Sequence, residues 1–143
     1  MIRVVIDTNV LVSALLQPQG LPAQVLLVTI AGPTVRLCVS GEVYAEYEEV
    51  IGRPRFKRSK SEIADTLRAI REMGIWVKPS HKVRACTDPD DDVFLECAQA
   101  AGAHYLVTGN LKHFPSQWAD TLIVTPHQFL DAISELQDEP HEP

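Results

Sequence analysis

Residues 87–98 read TDPDDDVFLECA. Asp88, Asp90, Asp91 and Asp92 stand just ahead of an apolar run, and Glu96 follows one helical turn after Asp92. Carboxylates this close repel one another, so their grouping needs a cause. A helix start is one cause, because acidic side chains there cap free amides and face the positive end of the helix dipole. A cation site is the other. Oxygen donors without Cys/His ligand spacing suit a hard ion such as Mg²⁺ or Mn²⁺. Such an ion activates water and offsets charge developing on a phosphoryl oxygen. Asp92 and Glu96 share one helix face, where like charges four apart cost roughly 0.2–0.5 kcal/mol. An Asp at a helix N-terminus is favourable by a similar amount. Local energetics therefore leave both causes open.

Other polar residues stand where strands end. The run 2–6, IRVVI, is short, apolar and β-branched, which predicts a buried strand, and it is followed by Asp7, Thr8 and Asn9. Further strands are predicted over 35–39, 75–78, 105–108 and 122–125. Helices are predicted over 9–16, 21–32, from the Ser40 cap to about Ile51, over 62–73 behind a Ser61 cap, over 92–103, and from Pro126 to about Leu136. Strands apolar on both faces and alternating with helices indicate an α/β fold with a parallel sheet covered on both sides. Sites in such sheets form at the carboxyl ends of the strands, near a switch in strand order. Asp7, Glu46, Asp92 and Asn110 then come from four segments to one rim. On the helical wheel Glu46 and Glu48 flank the apolar stripe of Val43, Tyr44, Tyr47, Val50 and Ile51 about equally, and periodicity does not choose between them.

The bulk numbers fit one domain over 1–137 with a frayed tail over 138–143. No run of about 18 apolar residues predicts a membrane span, and the N-terminus lacks a signal-peptide layout. Three cysteines, Cys38, Cys86 and Cys97, lie in or beside apolar runs without paired spacing, so reduced buried thiols and a cytoplasmic location are expected. A net charge of −6 disfavours a general nucleic-acid coat. The stretch 53–60, RPRFKRSK, is the local exception. It reads either as a solvated loop or as a phosphate-binding patch in which Arg55 and Arg58 contact backbone and Phe56 stacks on a base.

Three segments, VVIDTNVLVSALL, CVSGEVYAEYEEVIGRPRF and DPDDDVFLECAQAAGAHYLVTGNLKHF, resemble in order the PIN domain family, in the branch of toxins from toxin–antitoxin pairs. The resemblance implies a three-layer α/β/α fold with a mostly parallel sheet of four to five strands. It implies an endoribonuclease dependent on Mg²⁺ or Mn²⁺. Carried over by position, the acidic set falls on Asp7, Glu46 and Asp92, which favours Glu46 over Glu48. A fourth position, often Asp in the family, is Asn110 here, and this departure bears on how many metals bind. Asn9 and Ser40 match the family's polar positions and are expected near substrate. The implied partners are RNA, a cognate antitoxin and a second copy of the chain, the last also suggested by Phe56, Trp76 and Trp118. In the working reading Asp7 and Asp92 hold the metal while Glu46 and Asn110 position the attacking water. Asp88, Asp90, Asp91 and Glu96 are secondary candidates, and His113, in NLKHF, lies close enough in sequence to touch substrate but is expected to be a surface residue.

Two rivals follow from the same residues. One is a PIN-like module that binds RNA or protein without cutting. The other is a phosphatase or phospho-accepting domain, for which Lys112 is the one candidate phosphate lysine near a strand end.

Overall fold

The computed structural model describes residues 1–137. The tail expected to fray over 138–143 lies outside the described residues. Strand β1 (Ile2–Ile6) is followed by helices α1 (Thr8–Leu16) and α2 (Leu21–Ala31). Strand β2 (Val35–Val39), helix α3 (Gly41–Ile51), a 3₁₀ turn at Pro54–Phe56 and helix α4 (Lys60–Met73) come next. Strand β3 is only Ile75–Trp76, and a second 3₁₀ turn at Pro89–Asp91 runs into helix α5 (Asp92–Ala101). Strand β4 (Tyr105–Val107), a third 3₁₀ turn at Leu111–His113, β5 (Gln117–Trp118), β6 (Thr121–Val124) and α6 (Pro126–Gln137) complete the described residues.

The sheet order is β3-β2-β1-β4-β6-β5, and all neighbours are parallel except β5 with β6. Helices cover both faces, giving three layers, α/β/α. The central strands explain why: Val4, Val5 and Ile6 in β1 and Leu106 and Val107 in β4 are all buried, whichever face they point to. Tyr47 of α3 is also buried, and its hydroxyl donates to the Ile6 carbonyl, so its ring fills the core without stranding a polar atom.

Local signals set the helix ends. Ser40 Oγ accepts the Val43 amide at 3.2 Å and starts α3. Ser59, rather than the expected Ser61, caps α4 by accepting from Glu62 N at 3.1 Å. Gly102 ends α5 in the left-handed region at φ 59°, where a side chain would be strained. Strand β5 has two residues and was not expected; it is too short to show periodicity. Among the described residues, no single helix is long and apolar enough to cross a membrane. The order of strands creates a switch point: the chain leaves β1 for β2 and β3 on one side, then returns to β4 on the other.

Candidate active site

The carboxyl ends of β1 and β4 meet at this switch point. Asp7 N donates to the Val107 carbonyl at 2.9 Å, which ties the two strand ends together. A cleft of about 350 Å³ opens there. Its lining includes Asp7, Thr8 and Asn9 after β1, Glu46 and Val50 on α3, Arg55 and Phe56 on the first 3₁₀ turn, and Asp91, Phe94 and His113.

Asp7 is 5% exposed. Its Oδ2 accepts the Thr108 hydroxyl at 2.8 Å, and Thr108 Oγ1 in turn accepts Asn110 N at 3.0 Å. Burial raises the Asp7 carboxyl above its ordinary value, against the lowering effect of the Thr108 bond and the His113 ring. Asn9 Oδ1 accepts the Gly109 amide at 3.1 Å, so the β1 and β4 loops are stitched twice more at the cleft floor. Glu46 faces the cleft while Glu48 is exposed elsewhere, which separates the two glutamates that periodicity left equal. The Glu46 carboxyl is raised by partial burial and by the Asp90 and Glu49 carboxylates, with Arg53 opposing.

The acidic run divides between two tasks. Asp91 lines the cleft, and its carboxyl is raised to about 6 by burial and by the Asp7 and Asp88 charges, with His113 pulling the other way. Asp92, the expected ligand, does not line the cleft. It is 6% exposed, and its Oδ1 accepts the amides of Ala85 at 3.1 Å and Cys86 at 2.8 Å. Burial alone would raise the Asp92 carboxyl, but these two bonds outweigh it and hold it below its ordinary value. Glu96, one turn on, does the same for the next stretch: its Oε2 accepts Val83 N at 2.9 Å. Both carboxylates on that face of α5 thus satisfy backbone amides of the irregular segment 77–88, which lies outside the sheet once Val77 N has bonded to the Val39 carbonyl. Asp88 caps the second 3₁₀ turn by accepting Asp90 N at 2.9 Å.

Three further expected residues sit away from the cleft. Ser40 is fully buried as the α3 cap. Arg58 donates to the carbonyls of Phe56 and Leu15, both at 3.3 Å, and so braces the basic loop from behind. Arg55, by contrast, lies at the cleft with its guanidinium 4.8 Å from the Phe56 ring centroid. Asn110 does not line the cleft itself; its Nδ2 lies 2.9 Å from Nε2 of His113, which does. The sequence places Asp91 below Asp92 and gives Thr8 and Thr108 no role, whereas His113 is the surface residue expected, exposed while bordering the cleft. The Asp run and the polar residues after β1 and β4 were signals for Asp91, Thr8 and Thr108.

The donor set fits a hard divalent cation. Among the described residues no three His, Cys, Asp or Glu side chains are grouped closely enough to form a closed cage. Mg²⁺ does not need one, since it keeps several waters and binds through one or two carboxylates. Burial raises both Asp7 and Asp91, and the Asp7 charge raises Asp91 further, the condition a cation relieves. Beside them, Thr8 Oγ1 is buried at the cleft with no hydrogen-bond partner among the described residues, an orphan that a hydrated ion would satisfy.

A family model described as PIN domain matches residues 3–112. An uncharacterized protein of Methanocaldococcus jannaschii is 29% identical over 112 residues, covering 76% of this chain and 71% of that protein. The matched span runs from β1 to the turn after β4 and so contains both strand ends that build the cleft. The chain belongs to the PIN domain family, whose members are generally nucleases that use divalent metals.

Proposed function

We propose that this protein is a divalent-metal-dependent endoribonuclease that hydrolyses RNA phosphodiester bonds, with Asp7, Asp91 and Glu46 as its acidic residues. One observation carries the reading: three carboxylates from three separate elements line one cleft, each raised first by burial, and the Asp7 charge raises the other two further. Asp91 replaces Asp92 in the set because Asp91 lines the cleft, whereas Asp92 lies outside it with Oδ1 accepting two backbone amides.

A bound Mg²⁺ or Mn²⁺ would offset charge on a phosphoryl oxygen and make an attacking water more acidic. Asp7 and Asp91 would hold it, with Thr8 Oγ1 and Asn9 as polar neighbours. Thr108 fixes the Asp7 carboxylate through its hydroxyl, so Asp7 reaches the cleft with one oxygen already engaged. Glu46 approaches from α3 on a separate wall, and its raised carboxyl suits it to accept a proton from the attacking water. Arg55 and Phe56 border the same cleft, where a guanidinium can meet backbone phosphate and a ring can stack on a base. Lys112, the lysine a phosphatase would need, is not among the cleft-lining residues.

The branch that the sequence resembles extends the reading to the toxin of a toxin–antitoxin pair acting in the cytoplasm. Co-expression with the product of the neighbouring reading frame tests that extension, and relief of growth arrest is expected. The reaction itself is tested with purified protein and end-labelled single-stranded RNA. Cleavage with Mn²⁺ that stops in EDTA and in Asp7→Asn is expected. Tight RNA binding without metal-dependent cleavage would instead favour a module that binds and does not cut.

A further inference from the structure

The turn after β4 carries more than the family's usual fourth carboxylate position. Asn110 Oδ1 accepts the Lys112 amide at 3.3 Å. That bond fixes the side-chain amide: an amide turned the other way would set its NH₂ against a backbone N–H. The NH₂ group therefore faces His113, with Nδ2 2.9 Å from Nε2. A donor there requires a lone pair on Nε2, so the ring proton of the neutral imidazole sits on Nδ1. Nδ1 lies 3.8 Å from Asp91 Oδ2, longer than a hydrogen bond and within electrostatic reach. The same turn reaches Asp7 by its other side, from Asn110 N to the Thr108 hydroxyl and on to Asp7 Oδ2.

We propose that His113 is a positioning residue: Asn110 locks its Nδ1–H tautomer, and that N–H orients the Asp91 carboxylate for the cation. This rests on Asp91 being a ligand, as proposed above. One turn then steers both carboxylates proposed to hold the cation, Asp7 through Thr108 and Asp91 through His113. It also gives Asn110 a task that an aspartate could not perform in the same way, since a carboxylate would accept from Nε2–H and leave a bare nitrogen lone pair towards Asp91. Groups that orient metal ligands from behind characteristically change metal affinity by about 10–100-fold when removed.

Two measurements test this. Nitrogen-15 NMR of histidine-labelled protein at mildly alkaline pH reads the tautomer directly. The His113 signals should show the proton on Nδ1 in wild type and move towards Nε2–H in Asn110→Ala; a wild-type ring protonated on Nε2 overturns the lock. Calorimetric titration with Mn²⁺ reads the consequence. His113→Ala should bind about tenfold more weakly, with an unchanged melting temperature in EDTA, and His113→Asn, which keeps a donor near the Nδ1 position, should recover most of the loss. Wild-type Mn²⁺ affinity in His113→Ala, beside lost affinity in Asp91→Asn, overturns the positioning role alone. Wild-type affinity in Asp91→Asn overturns the site reading, and the role of His113 with it.

Discussion

Asp91 and Asp92 are adjacent in the chain and do opposite work. Asp91 ends a 3₁₀ turn and lines the cleft; Asp92 opens α5, and its Oδ1 accepts two backbone amides from Ala85 and Cys86. Asp91→Asn should therefore leave the metal-free protein as stable as wild type or more so, because it removes a repelled charge. It should abolish RNA cleavage and most of the stabilisation by Mn²⁺, since a ligand that binds only the folded state raises its melting temperature. Asp92→Ala should do the reverse, costing about 2 kcal/mol or more from two amides left without a partner while Mn²⁺ still stabilises what folds. Thermal melts of both variants in EDTA and in Mn²⁺ decide between these assignments.

The raised cleft carboxyls predict a pH dependence with a definite sign. Asp91 titrates at about 6 in the folded protein against an ordinary 3.8. Between those values the folded state binds more protons than the unfolded chain, so stability falls as pH rises through the window. In EDTA the stability of wild type, read from its melts, should fall from about pH 4 to pH 6 relative to Asp91→Asn, by on the order of 1 kcal/mol after solvent screening. Saturating Mn²⁺ should remove the difference in slope. Parallel melting curves for the two proteins in EDTA would mean that Asp91 is not held near Asp7 in solution.

Arg55 and Arg58 belong to one basic stretch and should separate on mutation. Arg55 is exposed at the cleft, so Arg55→Ala should weaken RNA binding across sequences and reduce the salt slope by about one. Arg58 is engaged with two carbonyls, and Arg58→Ala should cost about 1 kcal/mol of stability with little change in the salt slope. Filter binding over a salt series checks both, and equal effects on the slope would show that the stretch acts as diffuse charge.

The cysteines should be inert. Burial pushes the Cys97 thiol up to about 12, and burial together with the Asp92 carboxylate does the same for Cys86; burial also raises Cys38. Only about one thiol in 10⁴ would then be ionised at pH 8 at the two most shifted sites. Reaction with a disulfide reagent should be slow in native protein and count three thiols in denaturant. Rapid labelling of one thiol in native protein would show that the 77–88 segment opens.

Much of this protein is legible in one dimension. Short β-branched runs, proline and glycine punctuation and serine caps mark the parallel strands and most helices, because strand burial and helix capping are local in sequence. The placement of Asp7 after β1 follows from the same logic, since a polar residue ending a buried strand must emerge at the sheet's carboxyl edge. Glu46 rather than Glu48 came from family position, as the helical wheel treats them alike; in the fold, Glu46 is the one that faces the cleft. The divided acidic run was decided only by tertiary structure. A 3₁₀ turn passes into α5 between Asp91 and Asp92, so neighbouring side chains leave the backbone in different directions, and the amides that claim Asp92 and Glu96 lie on a segment whose path no periodicity describes. The same holds for His113 and Arg58. Each finds its partner through a turn whose direction depends on how the sheet closes around it, and hydrogen bonds reached across space leave no spacing in the sequence.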